Sequence, residues 1–194
     1  FGAAVLALVA LRKGFVPAMQ VIAIALPLLA FAGYSSGMGL ALPIAVLGLW
    51  LPVLALSLVL RTTAAPALML QAGVMLLGLV VAGWYVIEAD PLARMLTIIE
   101  RQVLPLFEQV QAEPLELGNE QLQALAKMAP GLMAAGTLTL AAVTVFVGRW
   151  WQAIAFNPGG FREEFHHLRH GRTAALVFAG VILAATLTGH TVIM

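Results

Sequence analysis

The sequence predicts an all-α fold, a polytopic transmembrane helix bundle, and three observations carry that reading. The 194 residues are 62% hydrophobic and only 10% charged, with a mean hydropathy of +0.99. A soluble domain carries about 25% charged residues, so most of this surface must face lipid. The apolar residues fall in uncharged runs long enough to cross a hydrocarbon core, such as the twenty residues from Ala129 to Gly148 and the twenty-two from Thr173 to Met194. Between those two runs lies the one densely polar stretch, Phe156 to Arg172, and a charged link between spanning runs is a membrane-protein pattern. We read residues 1–194 as a single transmembrane domain with six membrane segments, the first incomplete, plus amphipathic interfacial helices.

Phe1 to Leu11 is apolar and ends in Arg12-Lys13-Gly14. It is too short to span alone and lacks the charged n-region of a signal peptide. It reads as the tail of a first transmembrane helix whose start lies upstream of Phe1. Ala3 and Ala7, then Ala10 and Gly14, have the small-xxx-small spacing that lets helix backbones approach closely. Ala3 and Ala7 are therefore a candidate helix-packing seam, although alanine is common enough for chance to produce the spacing.

Phe15 to Gly33 is the second segment, with Pro17 in its first turn and Pro27 placed to kink it. Tyr34-Ser35-Ser36-Gly37 is a short turn-like link, and Met38 to Leu60 the third segment. Arg61 to Pro66 links it to the fourth, Ala67 to Ile87, where Trp84 and Tyr85 suit an interfacial aromatic belt.

Residues 88–127 form a polar excursion. Within it Leu92, Met95, Leu96, Ile99, Val103, Leu106, Phe107 and Val110 recur at helical gaps, which predicts an amphipathic helix bent near Pro105. Asp90 before Pro91 reads as N-cap and first helical residue. Asn119 is expected to cap a shorter helix ending at Lys127, before the fifth segment, Ala129 to Gly148. Thr173 to Met194 is the sixth.

Charge gives an orientation. The links containing Arg12, Lys13 and Arg61, with the hinge 149–172, hold seven of the ten Lys and Arg residues. The positive-inside rule places these basic links in the cytoplasm, and the acidic excursion and the C-terminus outside.

The chemistry is sparse. With no cysteine, disulfides and thiol catalysis are excluded. No basic stripe exists to follow a nucleic-acid backbone, and HExxH, Walker and GxSxG motifs are absent. No catalytic residue, cofactor or metal site is expected, and no enzyme. No Asp, Glu, Lys or Arg lies inside a segment, which argues against an ion-coupled carrier. Gln20 is deep enough either to bond across helices or to contact a polar solute, and is the candidate substrate-binding residue. Gln71 and His190 lie nearer the segment ends. In the hinge, Glu163 and His167, like His166 and His170, are four apart, but the two pairs point in different directions and do not make a zinc set. Phe161, Phe165 and Leu168 instead form the apolar stripe of a short helix lying in the membrane plane. Its exposed row Arg162, Glu163, His166 and Arg169 is either a solvated connector or a partner-docking surface.

Three stretches carry a family resemblance. Ala-Val-Leu-Ala-Leu-Val-Ala-Leu-Arg-Lys-Gly at 4–14, Arg-Trp-Trp-Gln-Ala at 149–153 and Asn-Pro-Gly-Gly-Phe-Arg-Glu-Glu-Phe at 157–165 resemble the YybS-like family of bacterial polytopic inner-membrane proteins of unknown function. That family is distantly similar to the S components of energy-coupling-factor transporters, which dock a coupling subunit through an alanine seam on the first helix. The resemblance implies a transport-related inner-membrane subunit that binds a small solute and needs a partner for energy, with Ala3 and Ala7 at the seam. The alternative is a non-catalytic scaffold that recruits partners. A polar cavity beside Gln20 would favour the first, and a solid bundle the second.

Overall fold

The structure is a computed structural model and describes residues 1–105 and 118–156. Among these residues every regular element is helical: α1 (Gly2–Lys13), α2 (Phe15–Ser35), α3 (Ala41–Thr63), α4 (Pro66–Ile87), α5 (Pro91–Ile98), a π-helical turn (Ile99–Val103) and α6 (Asn119–Phe156). Four of them, α2, α3, α4 and α6, are long and apolar enough to cross a membrane. The sequence predicts six segments. Of the remaining two, α1 has twelve residues, and Thr173 to Met194 lies outside the described residues.

The helices are apolar on the outside as well as within. Ile24 and Leu79 are each 70% exposed. A water-soluble protein does not present such side chains row upon row, and a bilayer solvates them. The chain is accordingly compatible with an integral membrane protein.

At the centre stands α3, packed against α1, α2, α4 and α6. Its Val53, Leu56 and Leu60 share one buried cluster with Ala7 and Leu11 of α1, Met69 of α4, and Ala141, Ala142 and Val145 of α6. A second cluster joins Leu6 and Ala10 of α1, Ala18 and Ile22 of α2, and Leu54 of α3. Small residues set these distances. A Cβ on Gly148 would stand 2.9 Å from the Ala7 Cβ and 3.2 Å from the Ala4 carbonyl oxygen, so α1 and α6 meet almost backbone to backbone. Ala7 is fully buried there and Ala3 packs beside it against the same cluster. In this packing Ala7 faces a helix of its own chain and is closed to an outside one.

The links follow local chemistry. Gly14 has φ 92° and ψ −164°, which lets the chain reverse in one residue between α1 and α2. After α2, the Ser35 and Ser36 hydroxyls donate to the Ala32 and Gly33 carbonyls at 3.0 and 3.2 Å. The Gly39 N–H donates to the Gly33 carbonyl at 2.8 Å, and Gly37 and Gly39 both take positive φ. This turn runs to Leu40, so α3 starts three residues later than the sequence suggests and ends three later, at Thr63. The Thr63 hydroxyl donates back to the Val59 carbonyl at 2.7 Å, and the helix ends there, with Ala64 at φ 50°.

Asp90 caps α5: its Oδ1 accepts the Ala93 N–H at 3.0 Å, and Pro91 is the first helical residue. Removing such a cap costs about 1 kcal/mol. Asp90→Ala is therefore expected to speed amide exchange across Arg94 to Thr97 several-fold; an unchanged rate would deny the cap a role. The amphipathic face is buried as its spacing predicts. Met95 and Ile99 are 5% and 2% exposed, while Arg94 and Arg101 point to solvent. The π turn stands just before Pro105 and brings both Val103 and Leu104 onto the packed face. Phe107 and Val110 lie outside the described residues.

Two expectations need correction. Asn119 does not cap a short helix: it is the first residue of α6, and the capping position is Gly118, whose N–H donates to the Gln121 side-chain Oε1 at 3.0 Å. Nor does the helix stop at Lys127. It continues through Pro130 as one 38-residue rod into the expected fifth segment. Pro130 and Ala126 are buried on the side that carries α4 and α5, and that packing holds the helix together across the missing N–H. The last nine residues of the excursion are thus the opening turns of a membrane-length helix.

Candidate functional site

The chain folds so that α4 and α6 leave an open groove between them, roofed at one end by α5. The wall of α4 contributes Leu77, Gly78 and Val81, and that of α6 Gly131, Ala134 and Leu138. Gly78 and Gly131 face open space where a side chain would otherwise stand, and Ala134 adds only a methyl group. At Gly73, by contrast, α4 is tightly packed, and a Cβ there would press on the Leu138 and Leu56 side chains.

Two cavities open along the groove, of about 350 Å³ and about 290 Å³, sharing Leu77, Val81 and Ala134. The second reaches Trp84, Met95 and Ile98, so the amphipathic helix forms its roof. The lining is almost wholly apolar, with the Thr137 hydroxyl as the exception. Volumes of this order fall in the range of small-molecule sites.

A further polar group lies at the roofed end. The Trp84 indole Nε1 is buried without a hydrogen-bond partner among the described residues. Trp84 packs on the cluster that contains Ala126, and Pro130 has no N–H to give the Ala126 carbonyl. An unpaired buried polar group costs about 1–3 kcal/mol, so the Trp84 indole is a point of local strain at this end of the groove. The Tyr85 hydroxyl donates to the Lys127 carbonyl at 3.4 Å and ties the end of α4 to α6 above the groove.

Gln20 is not part of this arrangement. It is exposed on α2, which packs on α1 and α3, whereas the groove lies between α4 and α6. Arg162, Glu163, His166 and Arg169, and also His190, lie outside the described residues. The sequence reading missed Gly78, Gly131 and Ala134. Their signal was present as small residues inside spanning runs, but it becomes a groove only once α4 and α6 are known to be neighbours.

No protein-family model, curated protein or solved structure matches the chain.

Proposed function

We propose that the chain is a transport-related membrane subunit that holds an apolar solute in the α4–α6 groove beneath α5 and relies on a partner for energy. The single observation that carries this reading is the roofed apolar groove itself. The uncharged segments support it too, since they offer no buried ion-coupling group, and so does the resemblance to S components. The solute differs in kind from the polar one that Gln20 suggested: shape and burial would hold it. The end bearing Arg12, Lys13, Arg61 and Arg149 is the cytoplasmic one, the α5 end faces outward, and the membrane is the bacterial inner membrane.

Filling the groove tests the reading. Ala134→Phe places a ring in space the solute would occupy. In native mass spectrometry of gently extracted protein, the wild type is expected to carry a discrete small-molecule adduct. Ala134→Phe should lower its retention about tenfold, which is about 1.4 kcal/mol. An adduct kept in full by Ala134→Phe, or a wild type carrying phospholipid alone, contradicts the solute role. The second outcome would favour the scaffold reading, which rests on the close α1–α3–α6 packing around Ala7 and Gly148.

A further inference from the structure

We propose that the outer face of α2, centred on Gln20, docks a second copy of this chain, the two Gln20 amides bonding to each other. Of the four spanning helices α2 is the least buried, and it packs on α1 and α3. Ala18 and Ile22 make that packing and are buried in it. Each stands two residues from Gln20, which places it about 200° around the helix, on the opposite side. Gln20 is therefore at the crest of the outward face. Val16, Ile24 and Phe31 flank it there as exposed apolar side chains, with Ala23 and Pro27 between them.

The chemistry of that crest asks for a partner. A glutamine amide carries two N–H donors and an acceptor oxygen. Gln20 lies about 7.5 Å along the axis from Phe15, within a helix whose other side chains are apolar as far as Gly33. Hydrocarbon offers such a group nothing to bond, and a neighbouring helix does. No described residue hydrogen-bonds the amide.

A second copy supplies what is missing, at the right depth. Two copies inserted the same way round are related by a two-fold axis along the membrane normal, so equivalent residues lie at equal depth and one patch meets itself. Gln20 then meets Gln20, each amide giving an N–H to the other's carbonyl oxygen. An amide is its own complement in this way, and α2 carries no charge that would repel its copy. Ala23, about one turn deeper on the same face, adds only a methyl group and lets the two helix axes come close. The chain's own Thr173 to Met194 is a poorer match. Read as a span entering from the arginine end, it has no side-chain donor or acceptor from Ala174 to Ala185. The inference rests on the membrane placement alone, and the solute groove lies elsewhere, between α4 and α6.

The test uses the full chain in phosphatidylcholine vesicles, labelled through Glu120→Cys in separate donor and acceptor batches, with energy transfer read as the protein is diluted with lipid. The otherwise unaltered chain should associate. Gln20→Leu should weaken that association at least about fivefold and Gln20→Asn should keep part of it, whereas Gln71→Leu on α4 should leave it unchanged. Energy transfer no greater than random mixing at every dilution overturns the proposal, since lipid or the chain's own last segment would then cover the face. Equal association with and without Gln20→Leu overturns it too. Gln20 faces away from the bundle, so its replacement leaves the α2 packing in place. Should Gln20→Leu still fail to fold, oxidative crosslinking in membranes decides with Gln20 intact. Ile24→Cys, on the Gln20 face, should form a disulfide-linked dimer, and Leu79→Cys, exposed on α4, should not. Crosslinking through Leu79→Cys but not Ile24→Cys, or through neither, places no second copy on α2 and overturns the proposal.

Discussion

Gly148→Leu is expected to separate α1 from α6 and to lower the thermal stability of the extracted protein substantially. Within lipid, helices gain little from burying apolar surface, because the solvent is equally apolar. Their association rests on close packing, and at Gly148 the packing leaves no space. Even an added Cβ would stand 2.9 Å from the Ala7 Cβ, with the Ala4 carbonyl oxygen and the Leu8 nitrogen each at 3.2 Å. Those atoms are backbone or attached directly to it, so they cannot rotate away as the end of a long side chain would. Overpacking costs typically about 1–3 kcal/mol, and leucine adds three further carbons in the same direction. Gly148→Ala should show a smaller loss, and Ala7→Gly should recover part of it, because the two positions share one contact. Independent, additive losses would place the α1–α6 contact elsewhere.

Gly14→Val is the second large effect. With φ 92° and ψ −164°, Gly14 occupies a backbone region that is essentially closed to side chains, and holding another residue there costs about 1–3 kcal/mol. A Cβ would also collide with the Arg61 guanidinium. The substitution should therefore lower stability and loosen the α1–α2 joint, read as faster proteolysis between Arg12 and Phe15. Wild-type stability in Gly14→Val would mean that α1 and α2 are joined by some other conformation.

Much of the helix layout was legible because its boundaries are chemical. Arg12-Lys13-Gly14, Ser35-Ser36-Gly37, Arg61-Thr62-Thr63 and Asp90-Pro91 each interrupt an apolar run with charge, a hydroxyl, glycine or a cap. The face of α5 was legible for a different reason. One side of that helix meets water and the other meets protein, so Met95 and Ile99 stand out against Arg94 and Arg101. Inside α2, α3, α4 and α6 that contrast vanishes: lipid and core are both apolar, and periodicity cannot say which leucine faces which. That is why the groove of Gly78, Gly131 and Ala134 was not read from sequence. It is also why Gln20, polar and deep in its run, drew attention although it lies on an exposed face of α2. The helix expected to end at Lys127 instead runs on through Pro130. In water a proline between two helical stretches usually ends one of them, whereas neighbouring helices in a membrane bundle support the rod through it.

The claim beneath all of this is that the chain crosses a bilayer, with the arginine end in the cytoplasm and the α5 end outside. The absence of cysteine allows a direct measurement. Thr63→Cys, in the last turn of α3, and Glu120→Cys, in the first turn of α6, are exposed positions at opposite ends of the bundle. With a membrane-impermeant maleimide on intact cells, Glu120→Cys should label at once and Thr63→Cys only after the cytoplasmic membrane is permeabilised. Labelling of Thr63→Cys alone would reverse the orientation, and prompt labelling of both would contradict a bundle that spans the membrane.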